Sequence, residues 1–183
     1  NGVPCRIARI SFSGEMASEI YVPSDYGPAM MDLLWETAEP LGGCLYGLEA
    51  LGTMRIEKGH VTGAELDGRV TLEDAGLGKM ASNKKDFIGN VLRKRPAMVD
   101  EHRPQLVGIF PKNRKEIFNA GAILCNEDNI SGLGEGWITG VTYSPVFGHW
   151  IGIGFITGGH KNWISRGAIA ADPVRKGNIE VEI

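Results

Sequence analysis

Hydrophobic and polar positions alternate near the start of the chain and predict a β-hairpin there. Ile10 and Phe12 alternate with polar neighbours, and the Ser-Gly pair after them is typical of a turn. In the run that follows, Ile20 falls on one strand face, whereas Glu19 and Tyr21 fall on the other. The pattern therefore places a carboxylate inside an otherwise strand-like apolar segment, close to an aromatic ring.

Apolar positions at helical spacing predict two helices in the rest of the first sixty residues. The first is expected over about residues 26–39, with a Ser-Asp pair as its N-cap and Pro28 in its first turn. The second covers about residues 48–58 and stops at Gly59. A short apolar segment at residues 44–46 is expected to be a strand between them. This order of elements indicates an α+β domain with helices on one face of a sheet.

The pattern changes beyond residue 104. A short helix is expected at residues 89–95, and the charged, proline-bracketed segment 96–104 is typical of a linker. Short strands separated by Gly and Asn follow at residues 105–110, 122–125, 137–143, 150–155, 168–170 and 179–183. We therefore expect an α+β domain over residues 1–95, a linker over 96–104, and a small antiparallel barrel or sandwich over 105–183.

Composition excludes several function classes. The 183 residues are 43% hydrophobic and carry a formal net charge of −3, so neither a nucleic acid nor an anionic membrane surface is an expected partner. No apolar run approaches membrane-spanning length, and the first residues lack the pattern of a signal peptide. A cytoplasmic location is therefore expected.

Cysteine and histidine spacing gives no sign of a metal site or a disulfide framework. The chain has three widely spaced cysteines without a C-x-x-C pair, and four histidines without ligand spacing. They are Cys5, Cys44, Cys125, His60, His102, His149 and His160. We interpret the cysteines as packing residues and most of the histidines as surface or packing residues, and the sequence offers no local support for a catalytic Cys–His pair.

Five short motifs spread over nearly the whole chain carry a more specific signal. They are Phe-Ser-Gly-Glu at residues 12–15 with Glu19 following, Met-Arg-Ile-Glu-Lys-Gly at 54–59, Thr-Leu-Glu-Asp-Ala-Gly-Leu-Gly at 71–78, Lys-Asp-Phe-Ile-Gly at 85–89 and Thr-Tyr-Ser-Pro-Val-Phe-Gly at 142–148. In this order and spacing they resemble the aminomethyltransferase family, which includes the glycine-cleavage T-protein and the folate domains of sarcosine and dimethylglycine oxidases. The second motif is most similar to the α subunit of heterotetrameric sarcosine oxidases.

The resemblance implies a fold and a context. The expected fold is part of the ferredoxin-like, aminomethyltransferase-type α+β domain, followed by a C-terminal antiparallel β-barrel. A complete domain of this family has about as much chain again before the position of Asn1. The chain is therefore expected to be a fragment of a larger subunit, with the rest of that subunit and the other sarcosine oxidase subunits as partners. The family's catalytic aspartate lies in the preceding part, so no catalytic residue is assigned here.

Three residues are candidates for folate binding by resemblance. Glu19 matches the glutamate that binds the pterin ring of tetrahydrofolate, and a carboxylate offers two acceptors to an amino group and a ring N–H. Its alternative is a surface glutamate on an edge strand. Phe12 occupies an aromatic position of the family, commonly tyrosine, with a core phenylalanine as the alternative. Arg55 is either a ligand contact or part of a structural ion pair. T-proteins carry a second arginine where this chain has Leu51, which cannot replace its five donors.

The resemblance also implies a reaction. A sarcosine oxidase uses flavin to oxidise sarcosine to an imine, releases hydrogen peroxide, and passes the one-carbon unit to tetrahydrofolate as 5,10-methylenetetrahydrofolate. FAD, FMN and NAD are expected in the holoenzyme outside this chain. A T-protein and a non-catalytic folate-binding module are the alternatives. Leu51 and the Lys58-Gly59 ending count against the T-protein.

Two remaining patterns have simpler explanations. The basic residues Lys84, Lys85, Arg93, Lys94 and Arg95 fit either the acidic tail of a polyglutamyl folate or a solvated surface, and the surface is favoured. The glycine-rich segment 152–158 has the wrong spacing for a dinucleotide loop and no helix pattern after it. Gly132, Gly134 and Gly136 are interpreted as turn residues.

Overall fold

A computed structural model describes residues 2–126, 134–158, 167–172 and 177–183. The chain divides into two compact units, residues 1–60 and 61–183. The predicted fold class is confirmed, because the chain combines helices and sheet with a closed, six-stranded antiparallel barrel. The predicted domain and linker limits at residues 95 and 104 stay a prediction.

The first unit begins with the predicted hairpin, but its first strand lies earlier than expected. β1 (Arg6–Ala8) pairs antiparallel with β2 (Glu19–Tyr21). Ile10 and Phe12 therefore lie in the connecting loop instead of in a strand. The loop closes locally, since the Gly14 backbone N–H donates to Ser11 Oγ at 3.0 Å and Gly14 has a φ of +100°. A residue with a side chain rarely adopts that backbone conformation.

Both predicted helices are present within a residue or two of their expected limits. α1 (Gly27–Ala38) follows a 3₁₀ turn, and its N-cap is Tyr26 without a capping side chain, so the predicted Ser-Asp cap is wrong. α2 (Leu48–Lys58) ends at Gly59, whose φ of +73° stops the helix. The strand predicted at residues 44–46 is also wrong. That segment is irregular and exposed, because the described part of the first unit gives it no strand partner.

The second unit contains the barrel. Residues 61–103 form loops with 3₁₀ turns at Gly78–Met80, Leu92–Lys94 and Pro96–Met98. The barrel strands are β3 (Pro104–Pro111), β4 (Ile123–Cys125), β5 (Gly136–Ser144), β6 (His149–Thr157), β7 (Gly167–Asp172) and β8 (Gly177–Glu182). They close in the order β3-β6-β5-β4-β7-β8. All six predicted strands are present, and no described helix is long and apolar enough to cross a membrane.

The helix predicted at residues 89–95 shortens to a single 3₁₀ turn. Gly89 at its start has a φ of +91°, and Arg95 at its end is extended before Pro96. Proline disfavours helical backbone in the residue that precedes it. The two ends therefore leave room for one turn only.

The barrel is closed around an apolar core. Fully buried side chains from five strands and from the loop between β3 and β4 meet there, namely Ile109, Phe118, Leu124, Ile138, Ile156 and Val181. The glycine-rich segment 152–158 belongs mainly to β6, where Gly154 faces the backbone of β5. Its glycines allow close strand approach, which is a structural role. Gly136 likewise lies in β5 and not in a turn, and Gly132 lies outside the described residues.

The motif at residues 71–78 anchors the start of the barrel. The buried Asp74 carboxylate accepts from the Thr71 backbone N–H at 2.8 Å and from Arg103 Nε at 3.0 Å. The Asp74 carbonyl accepts from the Leu106 backbone N–H, also at 2.8 Å. This part of the chain thus fixes the segment that leads into β3.

Candidate functional site

Glu19 lies on β2, whose three residues are all exposed. Tyr21 lies two residues further along the same strand face, as the alternation predicted, and its hydroxyl donates a hydrogen bond to Glu19 Oε2. This hydrogen bond is the largest cause that raises the pKa of the Tyr21 phenol above its ordinary value. The strand therefore presents an exposed carboxylate that is held by a neighbouring phenol.

Phe12 lies in the β1–β2 loop, half-buried against the C-terminal end of α2. Its ring contacts the imidazole of His60, with 4.8 Å between the ring centroids and planes tilted by 60°. Lys58 Nζ donates to the Ser11 carbonyl at 2.5 Å and so fixes the neighbouring residue of the loop. Phe12 is thus partly exposed in a loop that is held by α2.

Arg55 approaches the same histidine from α2. Arg55 Nη1 donates to the His60 carbonyl at 3.2 Å, and the His60 backbone N–H donates to the Arg55 carbonyl at 2.8 Å. Phe12 and Arg55 therefore meet at His60. No hydrogen bond or ion pair joins Glu19 to them within the described part of this unit, where its hydrogen-bond partner is Tyr21.

Three residues that shape this site were not among the predicted candidates. Strand alternation predicted that Tyr21 lies on the same face as Glu19, but it did not predict the hydrogen bond between them. Lys58 belongs to the motif at residues 54–59, but its contact with the loop joins residues far apart in sequence. His60 was assigned to surface or packing histidines, and it packs against Phe12. The path of the loop determines the last two contacts.

The basic residues between 84 and 95 do not form one free surface. Arg93 Nη2 pairs with Glu73 Oε1 at 2.6 Å, and its guanidinium lies 5.9 Å from the centroid of the Phe87 ring. Lys84, Lys85, Lys94 and Arg95 are exposed. Among the described residues, no group of three or more His, Cys, Asp or Glu is arranged to hold a metal ion. The prediction of packing cysteines is confirmed for the buried Cys125 and is wrong for Cys5 and Cys44, which are exposed free thiols.

Comparison with known proteins finds one matching family model and similar enzymes. Residues 1–85 match the family model described as the GCVT N-terminal domain. The chain is 40% identical over 156 residues to the sarcosine oxidase subunit alpha of Rhizobium meliloti, which covers 84% of the chain and 16% of that protein. It is 34% identical over 161 residues to the aminomethyltransferase of Cutibacterium acnes, covering 85% of the chain and 41% of that protein.

The fold has a counterpart among solved structures. The crystal structure of glycine cleavage system aminomethyltransferase T from Bartonella henselae matches with a TM-score of 0.76 at 23% identity, over 98% of this chain and 48% of that one. The chain spans less than half the length of each of these relatives. Residues 1–85 thus match the GCVT N-terminal domain model, and the chain is similar in sequence to sarcosine oxidase α subunits and aminomethyltransferases, which confirms the resemblance in its motifs.

Proposed function

We propose that this chain is the folate-binding part of a sarcosine oxidase α subunit. The observation that carries the proposal is the exposed Glu19 carboxylate, which stands at the motif position of the family's pterin-binding glutamate. The identity of 40% to a sarcosine oxidase subunit alpha, against 34% to an aminomethyltransferase, favours the oxidase over the T-protein.

The residues present fit a reduced folate. A carboxylate accepts two N–H bonds from the amino-pyrimidine edge of a pterin. Each oxygen of Glu19 has two acceptor sites, and Tyr21 occupies one of the two sites on Oε2. The partly exposed Phe12 ring offers an apolar surface to a flat heterocycle. Arg55 bonds the backbone of His60, the residue against which Phe12 packs, so its proposed part is to support the aromatic side of the site.

The proposed reaction is the oxidative demethylation of sarcosine to glycine. Molecular oxygen accepts the two electrons and two protons removed from sarcosine and becomes hydrogen peroxide. Tetrahydrofolate supplies the amine nucleophile that takes up the one-carbon unit as 5,10-methylenetetrahydrofolate and so releases glycine. This chain contributes binding and orientation, which raise the effective concentration of the nucleophile at the reacting carbon. We assign it no catalytic residue, and we place FAD, FMN and NAD in other parts of the holoenzyme.

The first unit suggests where the rest of the subunit contacts this chain. α1 has no buried residue, and its apolar side chains Met31, Leu33 and Leu34 are 47%, 52% and 40% exposed. Exposed apolar surface of this kind is typical of an interface. We propose that the preceding part of the same subunit covers it, within a cytoplasmic complex that contains the other oxidase subunits.

Replacement of Glu19 tests the proposal directly. In the full-length protein, Glu19→Gln is expected to weaken tetrahydrofolate binding by about 1.5–3 kcal/mol, because the amide loses the charge that assists both hydrogen bonds. Calorimetric titration with tetrahydrofolate measures the change. Glu49→Gln is the matched control, since Glu49 is exposed in the first turn of α2 and lies outside the five motifs, and it should bind like the wild type. An unchanged affinity in Glu19→Gln would mean that Glu19 is only a surface residue.

The two alternatives give different results. A glycine-cleavage T-protein would act on an aminomethyl group and would consume no oxygen with sarcosine, so oxygen uptake by the full-length protein separates it from the oxidase. A non-catalytic folate-binding module would bind tetrahydrofolate without turnover in either assay. An upstream dinucleotide-binding domain in the same gene would support the oxidase, and its absence would count against it.

A further inference from the structure

Tyr21 is the side chain placed to control the geometry of the Glu19 carboxylate. Both residues lie on one face of β2, and the Tyr21 hydroxyl donates to Glu19 Oε2. Across the hairpin, the residue opposite Glu19 is Ala8, and the residue opposite Tyr21 is Arg6. A methyl group cannot hydrogen-bond a carboxylate, so Ala8 does not orient Glu19, and among the described residues the hydrogen bond to the Glu19 carboxylate comes from Tyr21.

An exposed glutamate needs such a restraint if it is to bind a flat ring by two hydrogen bonds. Its side chain otherwise samples many rotamers, and binding must remove that freedom. A hydrogen bond from a strand neighbour removes part of it in advance. Because each carboxylate oxygen has two acceptor sites, Oε2 can keep the Tyr21 bond and still accept an N–H from a ligand.

We propose that Tyr21 is a positioning residue that holds the Glu19 carboxylate in the orientation required by the amino-pyrimidine edge of a reduced folate. This role rests on the proposed function of Glu19. Tyr21 is half exposed and acts through the carboxylate, not through contact with the ring. The raised pKa of the phenol agrees with this geometry, because the hydrogen bond to Glu19 favours the neutral, donating form.

The test compares single and double variants of the full-length protein by titration with tetrahydrofolate. Tyr21→Phe keeps the ring and removes the donor, and we expect a three- to tenfold loss of affinity. The same change in a Glu19→Ala background should have no further effect, because the group that Tyr21 orients is gone. Tyr26→Phe removes another exposed phenol of the first unit and should leave the affinity unchanged.

A spectroscopic readout follows the Tyr21–Glu19 pair without any ligand. The difference in ultraviolet pH titration between the wild type and Tyr21→Phe isolates the ionisation of Tyr21. The same difference is then measured between Glu19→Gln and the Glu19→Gln, Tyr21→Phe double variant. We expect Tyr21 to ionise at a lower pH there, because the carboxylate that raises its pKa is lost. An unshifted titration would contradict the pairing of Tyr21 with Glu19.

The outcomes separate the two proposals. Wild-type affinity in Tyr21→Phe, together with weakened binding in Glu19→Gln, would overturn the role of Tyr21 and leave the proposed function standing. A further loss of affinity from Tyr21→Phe in the Glu19→Ala background would also overturn it, because Tyr21 would then contact the folate directly. Unchanged affinity in Glu19→Gln would reject the folate site and the role of Tyr21 with it.

Discussion

Replacing Asp74 by asparagine is expected to lower the free energy of unfolding by about 3–5 kcal/mol, the usual cost of breaking a buried ion pair by removing one partner. The Asp74 side chain is 0% exposed, and that of Arg103 is 15% exposed. Asparagine keeps an oxygen for the Thr71 N–H but removes the charge that faces the guanidinium. The pKa of Arg103 is raised mainly by its hydrogen bond to Asp74. Because an arginine stays charged without such a partner, its guanidinium would lose the carboxylate and keep backbone carbonyls such as that of Arg69, at 2.8 Å.

An exposed ion pair in the same unit provides the control. Asp67 bonds Arg69, whose side chain is 74% exposed, and Asp67→Asn is expected to cost at most about 1 kcal/mol. Urea denaturation followed by tryptophan fluorescence compares the two variants, and Trp137, whose ring centroid lies 5.3 Å from that of Phe155, is a reporter in the barrel. Similar small losses in both variants would contradict a structural role for the buried pair.

The barrel was predictable from sequence because its signals are local. Apolar residues recur in short runs with turn residues between them, and all six runs became strands. The end of α2 was predictable in the same way, because glycine readily adopts the positive φ that Gly59 has at this helix end. In both places the residue type and the backbone conformation it favours agree.

The predictions that failed depend on contacts between distant residues. Residues 44–46 have a strand-like composition, but a strand also needs a neighbour, which the described part of the first unit does not supply. The segment predicted as the first hairpin strand is instead a loop, in which Lys58 donates a hydrogen bond to the Ser11 carbonyl. No window of the sequence shows that contact.

The candidate site divides in the same way. The motif around Glu19 identified the carboxylate, and strand alternation placed Tyr21 on its face. The meeting of Phe12 with Arg55 at His60 was not predictable, because it depends on the path of the loop over the end of α2. Spacing within a strand is thus a better guide to this site than spacing within a loop.

Gly154→Ala is expected to destabilise the barrel by at least about 3 kcal/mol, the upper end of the usual cost of overpacking. A Cβ at this position would lie 2.3 Å from the Trp137 carbonyl oxygen and 2.9 Å from Ile138 Cα. Both atoms belong to the backbone of β5, so no side chain can rotate away to make room. The strands would have to separate along their paired length, which is among the longest in the barrel.

Gly108→Ala is the matched control because it adds the same methyl group to a strand of the same barrel. Apart from its chain neighbours, no atom lies within 4 Å of the Cβ position of Gly108. The substitution should therefore leave the free energy of unfolding unchanged or raise it by about 0.4–1 kcal/mol, because alanine lowers the conformational entropy of the unfolded chain. By thermal denaturation, the Gly154 variant should melt about 6–12 °C lower and the Gly108 variant no lower than the wild type. Equal melting temperatures would show that β5 and β6 can move apart without loss of stability. Close strand approach would then not explain the glycines of β6.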